Sequence, residues 1–208
     1  MTTKLDLYNM ALGHLGPVRL ANVTENRPDR RELDAVYDRV LAVMLERGIW
    51  FFSLRSSLVE PDTDVEPRFG LPYTYSFPTD YVRLRAITTD EAQEHEDTSY
   101  KREGRYFFSQ HSQLYLTYVS NDTDYGLNLG AFPALYAEAV GAELAYASGL
   151  PITKDRGTKN DLLIIKKRAL NEAKRVDAVD ERVKFKPASS WVAARRGAGA
   201  GTQRRESI

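Results

Sequence analysis

The sequence predicts an α+β protein, with a bundle of about four helices, a small antiparallel β-sheet insertion and an extended C-terminal arm. Apolar residues recur at helical spacing near both ends of the folded part, while short alternating runs bounded by Pro, Gly, Asn and Asp occupy the middle. The last segment is rich in glycine and arginine and cannot bury enough apolar surface to fold alone. The predicted ranges are 1–50 and 131–181 for the bundle, 51–130 for the β-rich insertion and 182–208 for a flexible basic arm.

The N-terminal region predicts two helices. The first ends at Gly16-Pro17, where a residue that tolerates a left-handed conformation precedes a helix breaker. The second begins near Pro28, because proline is favoured in the first turn of a helix. Its apolar positions follow the helical period and are Leu33, Val36, Tyr37, Val40, Leu41, Met44 and Leu45.

After Gly48 the helical period gives way to a continuous bulky run, Ile49-Trp50-Phe51-Phe52. Such a run packs in a core or, alternatively, forms an aromatic platform that stacks on single-stranded nucleic acid. Platforms are usually interleaved with basic residues, and only Arg55 lies nearby. We therefore predict that Trp50, Phe51 and Phe52 are core residues.

The middle of the chain predicts a small antiparallel sheet. Its four candidate strands cover residues 73–77, 82–87, 105–108 and 114–119. Residues 90–97, between the second and third candidates, are too acidic and polar for a core, and they predict an exposed loop.

Two further helices are predicted towards the C-terminus. The third begins near Pro133 and stops at Gly149-Leu150-Pro151; its alanines favour close packing against neighbouring helices. The fourth runs from about Asp155 to the region of Val176 and carries the basic triplet Lys166-Lys167-Arg168.

The charge of the chain is balanced in total but polarised along its length. The 29 Lys and Arg equal the 29 Asp and Glu, so net charge offers no attraction to nucleic acid or to an anionic membrane. Residues 60–97, however, hold ten acidic side chains against three arginines, whereas the segment from Arg182 onward is strongly basic.

The absence of cysteine excludes disulfides and thiolate metal sites, and fits assembly in a reducing cytoplasm. Without a signal peptide or a long apolar run, no membrane role is expected.

No motif predicts catalysis, a cofactor or a metal. His14 lies at a helix end, His95 lies in the acidic loop, and His111 lies in Ser109-Gln110-His111-Ser112, which is typical of a hairpin turn. No paired carboxylates, phosphate-binding loop or nucleophile elbow stands out. We therefore expect a binding protein rather than an enzyme.

Two segments carry a resemblance to a known family. The helix end Leu45-Glu46-Arg47-Gly48-Ile49-Trp50 and the Pro78-Thr79-Asp80 turn resemble phage head-to-tail adaptors, specifically the tail tubular protein A group of short-tailed phages. Ile49 separates the glycine from the tryptophan, unlike the family signature. The resemblance implies a dodecameric ring at the head-tail junction of the virion, with the portal protein on one side and a tail nozzle or other downstream tail protein on the other. It also implies that phage DNA passes through the lumen without sequence-specific binding.

The resemblance also implies a C-terminal arm that reaches into the portal. Phe185, Trp191, Arg195 and Arg196 are the candidate docking residues, because aromatic and arginine side chains dominate interface energies. Two alternatives stay open. In the first, the arm serves only solubility. In the second, the protein binds nucleic acid through its basic arm and the Lys166-Lys167-Arg168 patch.

Overall fold

A computed structural model describes residues 1–180, which form an α+β fold as predicted. The four helices in this part of the chain are α1 (Lys4–Leu15), α2 (Pro28–Glu46), α3 (Ala134–Thr153) and α4 (Arg156–Asp180). The six strands are β1 (Leu54–Val59), β2 (Tyr73–Ser76), β3 (Tyr81–Thr88), β4 (Lys101–Glu103), β5 (Tyr106–Ser109) and β6 (Leu114–Ser120). The predicted arm, 182–208, lies outside the described residues.

The helix ends follow local chemistry. The Thr3 hydroxyl accepts a hydrogen bond from the Asp6 N–H (3.2 Å), and the Asp6 carboxylate accepts one from the Thr3 N–H (2.9 Å). This reciprocal pair starts α1, and Gly16, with φ of 92°, ends it. Pro28 occupies the first turn of α2, and the Asp155 carboxylate accepts hydrogen bonds from backbone N–H groups in the first turn of α4. The end of α1 and the starts of α2 and α4 confirm the predicted ones.

The predicted end of α3 at Gly149-Leu150-Pro151 is wrong, because the helix continues through Pro151 to Thr153. A proline this close to a helix end removes only one hydrogen bond of the final turns. The Thr153 hydroxyl donates to the Gly149 carbonyl (2.8 Å), and Lys154 then ends the helix with a left-handed φ of 56°.

The strands form two three-stranded antiparallel sheets rather than the single predicted sheet. Their orders are β1-β6-β3 and β2-β5-β4. Because β5 and β6 belong to different sheets, the segment around His111 connects the sheets, and the predicted hairpin turn there is wrong. The two-residue hairpin lies instead between β4 and β5, where Gly104 has a positive φ of 59°.

Two apolar cores support this architecture. The first joins all four helices and Trp50, and α3 is largely buried in it. Gly141 allows α3 to approach α1 closely, since a Cβ there would lie 2.7 Å from the Cβ of Met10. The second core lies between the sheets and includes Tyr75 stacked on Phe107, with ring centroids 5.0 Å apart. Ala139 and Ala142 of α3 are also buried, as the predicted close packing of its alanines requires.

Candidate functional site

Trp50 lies at the junction between the helices and the first strand. Its side chain is buried, its indole N–H donates to the Met44 carbonyl (2.8 Å), and its ring packs edge-on against Tyr136 at 4.7 Å. A Cβ at Gly48 would lie 2.7 Å from the Trp50 ring, so glycine is required where the chain folds back. The Arg47-Gly48-x-Trp50 pattern is therefore a packing unit at the end of α2.

Phe51 corrects the prediction that all three aromatics are core residues. Trp50 is buried and Phe52 is half-buried against Phe132 and Tyr136, but Phe51 is 48% exposed. Residues 51–53 form a 3₁₀ turn, in which successive side chains point about 120° apart. Three consecutive bulky residues therefore cannot all face one core.

A buried carboxylate joins three helical segments. The Glu143 carboxylate of α3 accepts hydrogen bonds from both terminal nitrogens of Arg47, at 2.6 and 3.3 Å. The Lys166 ammonium of α4 donates to the same carboxylate at 3.1 Å. The side chain of Glu143 is only 10% exposed, so it is compensated by two cations in a poorly solvated position.

This carboxylate lies in a cleft of about 390 Å³ between α2, α3 and α4, which we name the cationic cleft. Its charged and aromatic lining consists of Arg39, Arg47, Glu143, Tyr146, Lys159 and Lys166. The Lys166 and Lys159 ammonium groups lie 3.5 and 5.4 Å from the Tyr146 ring centroid. Because four cations face one carboxylate, the cleft has an excess of positive charge that suits an anionic partner.

The three side chains of the basic triplet Lys166-Lys167-Arg168 have different surroundings. The Lys166 side chain is 12% exposed and faces Glu143, whereas Lys167 and Arg168 are exposed. Consecutive helical positions are separated by about 100°, so the triplet does not present one surface. The three side chains therefore do not form one patch, while the nucleic-acid alternative itself stays a prediction.

An acidic turn lies between β3 and β4, at residues 90–97. The Asp90 carboxylate accepts hydrogen bonds from the backbone N–H groups of Glu94 (2.9 Å) and His95 (2.8 Å), which holds the turn in one conformation. Glu91 and Glu94 are exposed at this turn. Asp97 is only 7% exposed, so the prediction of an entirely exposed loop is wrong at this position.

Asp97 anchors the acidic turn to the sheets. Its carboxylate accepts hydrogen bonds from the hydroxyls of Ser109 and Ser99, both at 2.6 Å. Burial alone would raise the pKa of Asp97, but these hydrogen bonds outweigh it and hold the pKa below its ordinary value. The acidic turn is therefore attached to β5 by an ionised, buried group.

The Pro78-Thr79-Asp80 turn ends in a second anchoring carboxylate. Asp80 accepts hydrogen bonds from Arg55 (2.9 Å), from the Tyr118 hydroxyl (3.0 Å) and from the Ser120 hydroxyl (2.5 Å). Burial opposes ionisation, yet these donors together hold the pKa of Asp80 below its ordinary value. The turn that resembles adaptor proteins therefore binds β1, β3 and β6 together.

Asp80→Asn is expected to lower the free energy of unfolding at neutral pH by about 2 kcal/mol, because three donors lose a charged acceptor. The pKa of Asp80 is lower in the folded than in the unfolded protein, so its contribution is complete above about pH 5 and falls as the pH decreases through the folded pKa. Urea unfolding of both proteins at pH 7 and pH 3 measures this. If the wild type and Asp80→Asn differed equally in free energy of unfolding at both pH values, the assigned role of the ionised carboxylate would be contradicted.

The histidines lie on separate elements. His14 is half-buried in the last turn of α1, His95 is exposed with its Nδ1 3.3 Å from Asp90, and His111 is exposed between β5 and β6. Within residues 1–180, no group of three or more His, Asp or Glu side chains is placed to hold a metal ion. No helix in this range is long and apolar enough to span a bilayer.

The predicted portal-docking residues Phe185, Trp191, Arg195 and Arg196 lie outside the described residues. The described part of the chain ends with α4 at Asp180. No protein-family model matches the chain, and no curated protein matches it either.

Proposed function

We propose that this chain is a subunit of a phage head-to-tail adaptor ring that joins the portal protein to the tail. One observation carries the proposal. Two N-terminal helices end in the Arg47-Gly48-x-Trp50 unit, a β-rich insertion follows, and two further helices complete one bundle. The adaptor group that the sequence resembles has a similar order of elements, with an arginine-glycine-tryptophan signature at the end of the helix pair; here Ile49 separates the glycine from Trp50.

The charges support assembly into a ring. A cyclic ring closes through a contact between two different patches on each subunit, and unlike charges suit such a contact. The chain has an acidic segment at residues 60–97, a cationic cleft in the helical bundle and a basic segment from Arg182 onward. In this role the ring lies at the head-tail junction, contacts a nozzle or other downstream tail protein, and lets DNA pass through its lumen.

The arm supplies the test of portal binding. Deletion of residues 183–208 is expected to leave the helices folded but to abolish attachment to filled heads, because the aromatic and arginine anchors are lost. Co-sedimentation with DNA-filled, tail-less heads measures attachment, and circular dichroism measures folding.

A shorter deletion gives the matched control. Removal of residues 197–208 keeps Phe185, Trp191, Arg195 and Arg196, and is expected to preserve attachment. Normal occupancy on heads by the chain that lacks residues 183–208 would refute portal docking through the arm. Steeply salt-dependent binding of short duplex DNA by the isolated subunit would favour the nucleic-acid alternative.

A further inference from the structure

We propose that the cationic cleft of one subunit binds the acidic turn, residues 90–97, of a neighbouring copy. This inference rests on the proposed function, because it assigns the two unlike patches of the lateral contact in the ring. The ligand is thus a second copy of this chain, and the recognised groups are the exposed carboxylates of Glu91 and Glu94.

The cleft has cations that the subunit itself does not neutralise. Glu143 already binds Arg47 and Lys166. Arg39 is exposed and Lys159 is half-buried at the same cleft, and neither forms an ion pair within residues 1–180. The Lys159 ammonium lies over the Tyr146 ring, 5.4 Å from its centroid. Two positive charges therefore remain for an incoming carboxylate.

The acidic turn is already in a fixed shape before binding. Asp90 holds the backbone through two N–H groups, and Asp97 attaches the end of the turn to β5. Glu91 and Glu94 project from this fixed backbone as exposed side chains without an ion pair to any residue in the described range. A preorganised turn loses little conformational entropy on binding, which favours a specific contact over a diffuse one.

The shape of the cleft favours a protein side chain over a nucleic acid. The cations line a concave space of about 390 Å³, whereas a duplex backbone binds along an extended surface. The neighbouring cations Lys167 and Arg168 are exposed on α4 and do not line the cleft. A compact turn that carries two exposed glutamates matches this geometry better than a duplex backbone does.

Charge reversal tests the pairing in the full-length chain. One variant, Arg39→Glu with Lys159→Glu, makes the cleft acidic; a second, Glu91→Lys with Glu94→Lys, reverses the two recognised charges of the turn. Sedimentation velocity at low salt, with portal rings present or absent, measures assembly, and circular dichroism verifies folding. Each variant alone is expected to assemble about a hundredfold more weakly than the wild type, because like charges meet at every contact. An equimolar mixture is expected to recover assembly, since each reversed cleft then meets a reversed turn.

The matched control is Lys167→Glu with Arg168→Glu, which changes the net charge of the chain equally but outside the cleft, and it is expected to assemble like the wild type. Wild-type assembly by either reversed variant would overturn the pairing and leave the adaptor proposal intact, as would a mixture of folded variants that stays unassembled. A wild type that forms no ring, even on portal rings, would overturn both. Duplex DNA binding that only the cleft reversal abolishes would assign the cleft to nucleic acid and also overturn the pairing.

Discussion

Trp50→Ala is expected to lower the free energy of unfolding by about 3–5 kcal/mol, the range for a large aromatic removed from a packed core. Trp50 is 1% exposed, and its indole N–H bonds to Met44 while its ring contacts Tyr136. The substitution therefore leaves a cavity at the point where α2, α3 and β1 meet. Urea unfolding followed by far-ultraviolet circular dichroism measures the loss.

The neighbouring aromatic gives the control for this prediction. Phe51→Ala removes a side chain that is 48% exposed and is expected to cost less than about 1 kcal/mol. Gly48→Ala is expected to be destabilising as well, because its Cβ would lie 2.7 Å from the Trp50 ring. Equal losses from Trp50→Ala and Phe51→Ala would show that the junction is not organised around Trp50.

The second large effect is expected at Glu143. Glu143→Ala leaves Arg47 and Lys166 without their shared carboxylate, and breaking a fully buried pair in this way costs roughly 3–5 kcal/mol. The Arg47 side chain is 31% exposed, so hydration of its unpaired guanidinium offsets part of this destabilisation. We therefore expect a loss of about 2–3 kcal/mol, measured by urea unfolding.

Two further variants separate this network from general effects on α3. Glu138→Ala changes an exposed glutamate of the same helix and is expected to have an effect within about 0.5 kcal/mol. Adding Lys166→Met to Glu143→Ala is expected to restore part of the stability, because it removes one uncompensated cation. Strictly additive losses in this double-mutant cycle would mean that the two side chains do not interact.

Local signals predicted most of the helical elements. The Gly16-Pro17 end of α1 and the start of α2 at Pro28 depend on backbone conformations that the residues themselves favour. The strands are less predictable from the sequence than the helices. Residues 101–103 in β4 are all exposed and have no apolar alternation, and β1 contains the polar run Arg55-Ser56-Ser57. Division into two sheets depends on which strands pair, and alternation along one strand does not encode its partner.

The sequence does not predict the cationic cleft, because the residues that line it are far apart along the chain. Arg47 and Glu143 are separated by 96 positions, and Glu143 and Lys166 by 23. One signal was present: Glu143 lies among small and apolar residues in the most apolar helix, where a carboxylate needs a cationic partner. The position of Phe51 was also not predictable from composition, because the 3₁₀ turn decides which aromatic faces the core.

Electron microscopy of the full-length protein mixed with purified portal rings tests adaptor function most directly. A second ring with the rotational symmetry of the portal, stacked coaxially on it, is the expected result. Portal particles that remain unchanged at an excess of the protein would contradict the assignment.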